Sequence, residues 1–361
     1  MTEPKERKLE APHRRLEATP PRIVEKAAVI GYKSMAAALV HLPTRLTVPV
    51  IGSFNQLSYL FWPKKRHFSN TNFGHVLGLP PDHPRVRRLA LRAYREYARY
   101  MVEIMRLPSQ PAEDVAKLVA GDGIDKIVEA WRAHGKAMIV CAGHVGNNEA
   151  VAAGVASRGL PANVVADDSA FPEIFEILRQ NRESWGVHVV PWRNLRELFS
   201  ILRRKEILAL LVDWGYRPDG IPVKLFGAWT TLPAGPAVLA AKTGAAIAPM
   251  EVRRITDGRF EVIADETFTV PSSNPADLQR ATQRIADALE RTIAAAPVQW
   301  YSFKPMWPDS DAEAAELERR AMEMLAGRSG MPTGDANAAA ADTPGAGTPG
   351  ADAPAAVGGP V

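Results

Sequence analysis

Residues 136–150, KAMIVCAGHVGNNEA, decide how this chain is read: an apolar strand over 136–142, a turn from Gly143 to Asn147, and a small-residue helix from 148. Two glycines permit the abrupt change of direction, and Asn147 is a good helix N-cap. His144 and Glu149 stand five positions apart. On one helix they would point about 140° apart at 3.6 residues per turn, so they meet only with the histidine on the loop and the glutamate in the first helical turn. A histidine there titrates near neutrality, and a carboxylate beside it fixes its tautomer and stabilises the imidazolium formed on proton uptake. Such a group is suited to activating a hydroxyl. Alone, the spacing is weak and fits a capped loop with an incidental histidine better, and the flanking segments must decide.

Working outward, strand and helix patterns alternate from about residue 123. Helices are expected over 123–134, 148–158, 171–185, 194–204, 233–243 and 276–295, and strands over 136–142, 162–166, 187–191, 206–212, 245–254 and 259–265. The fold class implied is α/β: a central mixed, largely parallel sheet flanked by helices, with reactive groups gathered where strands end. Leu210-Leu211-Val212-Asp213-Trp214-Gly215 puts a second carboxylate at such an end, where a neighbouring parallel strand would bring Asp213 to His144. Thr231 and Pro233 precede Gly235 at the start of the helix from 233, which would offer free backbone amides to an anion or oxyanion. Residues 297–307, PVQWYSFKPMW, close the folded part with aromatics that line an acyl channel or cap the core.

Upstream, residues 84–107 form an amphipathic helix with an arginine-rich outer face. Residues 23–62 are moderately apolar but broken by Lys33, Pro43, Arg45 and Pro49, so they cannot span a bilayer as one helix. Tyr59, Phe61 and Trp62 beside Lys64, Lys65 and Arg66 suit an interfacial helix hairpin on anionic lipid, and a pair of core helices fits the same pattern. The expected organisation is a disordered stretch over 1–22, a helical membrane-docking region over 23–110, a catalytic region over 111–326, and a disordered Ala/Gly/Pro-rich tail over 327–361.

A hydrophobic content of 46% in 361 residues suits a folded protein, and a net charge of +4 is too mild to argue for nucleic acid while suiting lipid headgroups or coenzyme phosphates. One cysteine, Cys141, allows no intrachain disulfide and favours a cytosolic or cytosol-facing setting. Scattered histidines without a Cys cluster or H-E-x-x-H argue against zinc chemistry, and no G-x-S-x-G is present for a serine hydrolase.

Taken together, the motifs resemble the lysophospholipid acyltransferase superfamily, most of all its bacterial lipid A acyltransferases and actinobacterial phosphatidylinositol mannoside acyltransferases. The likeness runs from about residue 28 to 308 and is carried by His144 with Glu149, the acidic strand end at Asp213, the segment 226–237, Gln299-Trp300, and Arg66 with Asn72. It implies transfer of a fatty acyl group from acyl-coenzyme A or an acyl carrier protein to a hydroxyl of a membrane lipid or glycolipid, with no cofactor, no metal and no covalent acyl-enzyme. His144 would be the general base and Asp213 or Glu149 the group that orients it. Asn147, Arg182, Arg217, Lys224, Pro233, Gly235 and Trp300 are the expected substrate contacts. Where the family often has a basic residue after its second strand, Asp167 and Asp168 are acidic. The implied location is the cytoplasmic face of the membrane, on an anionic surface. A phosphatidylinositol mannoside acceptor is the leading expectation, with a lipid A precursor or lysophospholipid as alternatives. An inactive lipid-binding protein of the same fold, or a thioesterase using Cys141, are the readings from other classes.

Overall fold

The computed structural model describes residues 22–166, 172–256 and 258–327; the expectations for the two termini and for Asp167 and Asp168 concern residues outside these. Four helices come first: α1 (Arg22–His41), α2 (Thr44–Phe61), α3 (Pro63–Leu77) and α4 (Pro84–Arg106). Then follow α5 (Ala112–Ala116), β1 (Val119–Ala120), α6 (Gly123–His134), β2 (Met138–Ala142), α7 (Asn148–Ala156), β3 (Ala162–Ala166), α8 (Pro172–Ser184), β4 (His188–Pro191), α9 (Leu195–Arg203) and β5 (Ile207–Leu211). The remainder is β6 (Ile221–Leu225), β7 (Ala228–Leu232), α10 (Gly235–Thr243), β8 (Ala246–Thr256), β9 (Arg259–Ala264), β10 (Phe268–Thr269), α11 (Pro275–Ala295) and α12 (Asp311–Leu325).

The main sheet runs β1-β9-β8-β2-β5-β3-β4, with β10 beside β8. Strand β2 lies parallel to β5 on one side and to β8 on the other, while β9 and β10 run antiparallel to β8. The sheet is therefore mixed and mostly parallel, as the alternating pattern requires. All five residues of β2 are buried because both faces are covered. Ile139 and Cys141 point into a core with α9, α10 and α11, whereas Met138, Val140 and Ala142 meet α6 and α7. Alternation along one strand thus feeds two cores.

The amino-terminal helices have one packed side and one bare side. Tyr32, Leu39 and Val48 pack on Val102 and Met105 of α4, so one side is core. The other side is bare: Leu46, Val50, Phe54 and Phe61 are 57–80% exposed, and ten of the fourteen exposed large hydrophobic side chains among the described residues fall between Ile30 and Trp62. No described helix is long and apolar enough to cross a membrane.

Three parts depart from the sequence reading. Residues 220–232 form a separate hairpin, β6–β7, whose two-residue turn is Phe226 at φ 49° and Gly227 at φ 75°. Positive φ at both positions is the type I′ geometry that matches strand twist. Thr231 lies in β7 and exchanges hydrogen bonds with the Arg217 backbone, so it is not a helix cap, and α10 starts at Gly235 instead of 233. Finally, the chain does not close at Trp307: α12 follows and covers the hairpin with Leu317, Ala321 and Met324 buried, while Arg320 donates to the Pro218 and Gly220 carbonyls.

Candidate active site

The loop after β2 and the end of β5 meet because the two strands are parallel neighbours, with Ala142 paired to Leu211 and Val212 N–H donating to the Ala142 carbonyl at 3.0 Å. That register sets Asp213 against the His144 loop. Asp213 accepts from His144 Nδ1 at 2.7 Å, from the His144 backbone N–H at 2.8 and 3.0 Å, and from the Trp300 indole Nε1–H at 2.9 Å. Its side chain is sealed, while that of His144 is 23% exposed. Burial by itself would raise the Asp213 carboxyl, but the His144 charge and these donors outweigh it and hold the group below the ordinary carboxylate value. An ionised Asp213 keeps the proton on Nδ1, which leaves Nε2 as the basic nitrogen.

Several contacts fix the loop. Gly143 is required because a Cβ there would come within 2.5 Å of Leu289 and 3.3 Å of Asp213. Gly146 has φ +67°, and a Cβ on it would lie 2.7 Å from the Val252 carbonyl. The loop runs against the segment after α11: Tyr301 N–H donates to His144 O at 2.9 Å, and Gly146 N–H reaches Gln299 O. That segment is clasped in turn by Asn72 of α3, fully buried, which donates to the Ser302 and Lys304 carbonyls and accepts from Met306 N–H. Phe73 meets the Trp300 ring edge-on at 5.8 Å. Arg66 donates to the Leu60 carbonyl and so finishes α2. Trp214 stands 5.7 Å from the His144 ring, and Lys304 Nζ lies over the Trp214 ring at 4.2 Å.

Sequence reasoning placed His144 on the loop, Glu149 in the first turn of α7 and Asn147 at its N-cap, and all three are so placed. Other expectations need correction. Glu149 does not orient His144: both its oxygens are taken by Arg182, at 2.5 and 2.8 Å. Burial opposes the charge on Glu149, but Arg182 prevails and its carboxyl lies below the ordinary value. The pair ties α7 to α8 next to Tyr32 and Tyr100, and burial pushes the Tyr32 phenol up to about 12. Trp300 is wholly buried and serves Asp213, so it lines no open channel. Asn147 is likewise sealed, its amide spent on Ala150 N–H and on Glu103. Arg217 is bound to Asp219, and Lys224 lies over Trp229 on the hairpin. Pro233 and Gly235 flank the start of α10, where a Cβ on Gly235 would meet open space.

Glu96 and Glu103 escaped notice. Both bind the buried Arg254 guanidinium, whose backbone is read by the Gln299 amide at 2.6 and 3.0 Å. Two acids seven residues apart on one stripe of an arginine-rich helix were the available signal. Cys141, by contrast, is sealed in the core with its thiol pushed well up by burial, which removes it as a nucleophile.

The chain matches the sequence model of the bacterial lipid A biosynthesis acyltransferases over residues 21–308. It belongs to that family. As such it is an acyltransferase of lipid biosynthesis. Among curated proteins it is similar to the phosphatidylinositol mannoside acyltransferase of Mycobacterium tuberculosis strain CDC 1551, 28% identical over 265 residues, covering 69% of this chain and 80% of the relative. The protein of the same name from Mycolicibacterium smegmatis is 28% identical over 242 residues, covering 65% and 77%.

Proposed function

We propose that this acyltransferase moves a fatty acyl group from an acyl thioester, acyl-coenzyme A or acyl carrier protein, to a hydroxyl of a membrane glycolipid of the phosphatidylinositol mannoside type. The observation that carries the reading is the His144–Asp213 pair, with one imidazole nitrogen engaged at 2.7 Å and the ring only partly covered. His144 Nε2 takes the proton of the acceptor hydroxyl as its oxygen attacks the thioester carbonyl carbon. The new C–O bond forms, the C–S bond breaks, and the departing thiolate receives the proton from the imidazolium. Asp213 stays ionised and stabilises the charged ring throughout.

The acceptor assignment is supported by the names of the mycobacterial relatives. A position on the cytoplasmic face of a membrane is supported by the bare apolar side of α1 and α2, flanked by Lys64, Lys65 and Arg66. The test uses purified protein, acyl-coenzyme A and a membrane lipid extract, with products read by mass spectrometry. Wild type forms acylated mannoside lipid, and His144→Ala loses turnover while still binding lipid. Equal turnover in the two proteins removes this mechanism; binding without turnover in wild type returns the reading of an inactive lipid-binding protein.

A further inference from the structure

Arg254 lies in β8 with its side chain only 4% exposed, an uncommon place for a guanidinium. Glu103 holds it bidentately, accepting from Nε at 3.1 Å and from Nη2 at 2.6 Å, and Glu96, two turns earlier on α4, binds it as well. Arg99, 3.8 Å from Glu96, offsets the second acid. A buried ion cluster of this kind is a poor source of stability. Desolvating the charges costs about as much as their attraction returns, and apolar side chains of similar volume often do as well. The outward contacts of the cluster, however, both reach the turn that carries His144.

The first runs through Asn147. Glu103 Oε2, the oxygen that Arg254 Nη2 holds, also accepts from Asn147 Nδ2 at 3.0 Å, and Asn147 ends the turn as the N-cap of α7. The second runs through Gln299. The pairing of β8 with β2 stops at Pro249, so beyond that residue this edge of β8 is open. The Gln299 side chain closes it at Arg254, accepting from the backbone N–H at 2.6 Å and donating to the carbonyl at 3.0 Å, the double exchange a neighbouring strand would make. Its own carbonyl then accepts from Gly146 N–H at 3.4 Å, while Val145 bridges to Trp300. His144 is thus held two and three residues from contacts that both trace back to Arg254. A shift of about 1 Å would carry the 2.7 Å bond between Nδ1 and Asp213 beyond hydrogen-bonding range, and a misplacement of that size costs on the order of a hundredfold in rate.

We infer that Arg254 is a positioning residue for acyl transfer: through Glu103 and Gln299 it fixes the 143–147 turn so that His144 meets Asp213. The inference rests on the acyl-transfer reading above and deepens it. Arg254→Lys keeps the charge but replaces the planar fork by a single ammonium, and Gln299→Leu removes the amide at similar volume. Each is made alone and together with Asp213→Asn, with acyl-coenzyme A as donor. Alone, each lowers kcat at least tenfold and leaves KM within twofold. Combined with Asp213→Asn, each lowers kcat less than threefold further, because groups that act through one contact are not additive. Equal factors in the two backgrounds would mark a general structural role and overturn the inference. Gln299→Leu carries the comparison alone should Arg254→Lys fail to fold. Hydrogen–deuterium exchange read by mass spectrometry supplies a measurement that needs no turnover: the amides of residues 143–147 exchange at least tenfold faster in both variants, and those of β2 and β5 keep their rates. An unchanged turn, or equal loosening of β2 and β5, overturns the inference. A turn that loosens selectively in an enzyme inert toward every thioester removes the acyl-transfer reading and leaves the positioning of the turn in place.

Discussion

Replacing Asp213 by Asn tests the site most sharply, because the change alters charge and hydrogen-bond sense while keeping shape. Asp213 now accepts from the His144 ring and backbone and from the Trp300 indole. An amide has one accepting oxygen, and the indole N–H can only donate, so the oxygen is drawn toward Trp300 and the NH₂ toward His144 Nδ1. Nδ1 then accepts, the ring proton moves to Nε2, and the base is lost. The charge is lost as well. An imidazolium and a carboxylate with centres about 4 Å apart attract by about 4 kcal/mol at an effective dielectric of 20. At 1.36 kcal/mol per factor of ten, that alone is about a thousandfold in rate, to which the wrong tautomer adds. Initial rates of acyl transfer between about pH 5 and 9 would measure it, with thermal unfolding and vesicle binding as controls for folding and lipid affinity. A variant that keeps more than about a tenth of kcat with the wild-type pH profile would refute the claim that Asp213 sets the tautomer on which His144 acts.

Glu149→Gln should lower stability by about 2 kcal/mol, since it weakens charge-assisted bonds to a mostly covered Arg182, yet reduce kcat less than Asp213→Asn does; calorimetry and initial rates together check this. Because both Asp213 and Glu149 have carboxyls held below their ordinary values of 3.8 and 4.5, their stabilisation is fully present above those values and disappears as pH falls through the lower folded values. Chemical unfolding of the wild type should therefore show a decline in free energy in acid that is shallower in Asp213→Asn. Gly146→Ala, forced to φ +67° against the Val252 carbonyl, should cost about 1–3 kcal/mol and displace the His144 loop, seen as a lower melting temperature and a lower kcat. Phe54→Glu and Phe61→Glu should each weaken co-sedimentation with anionic vesicles by roughly ten- to a hundredfold, since burying a Phe side chain is worth about 1.5–3 kcal/mol. Unchanged sedimentation would remove the bare side of α2 as the docking surface.

Much of the architecture was legible because the α/β alternation rests on local pattern. The strand before Gly143, the cap at Asn147 and the helix from Asn148 follow from residue type alone. What the pattern could not reach was partner choice. Whether Glu149 or Asp213 faces His144 depends on strand register and on where α8 brings Arg182, which are tertiary facts. The β6–β7 hairpin hid for another reason. Its turn uses Phe226 at positive φ, where the usual signal would be Asn or Asp before the glycine. Trp300 looked like a lining aromatic, and only its buried indole N–H, which needs an acceptor, gives it a different place.

Asn72 joins three carboxyl-proximal backbone groups to a helix near the other end of the chain, and Phe73 and His75 of that helix rest on Trp300 and Trp307. The amino-terminal helices and the chemistry consequently share one foundation. An engineer who exchanged the first three helices for others would inherit an imidazole whose supporting tryptophan had come adrift.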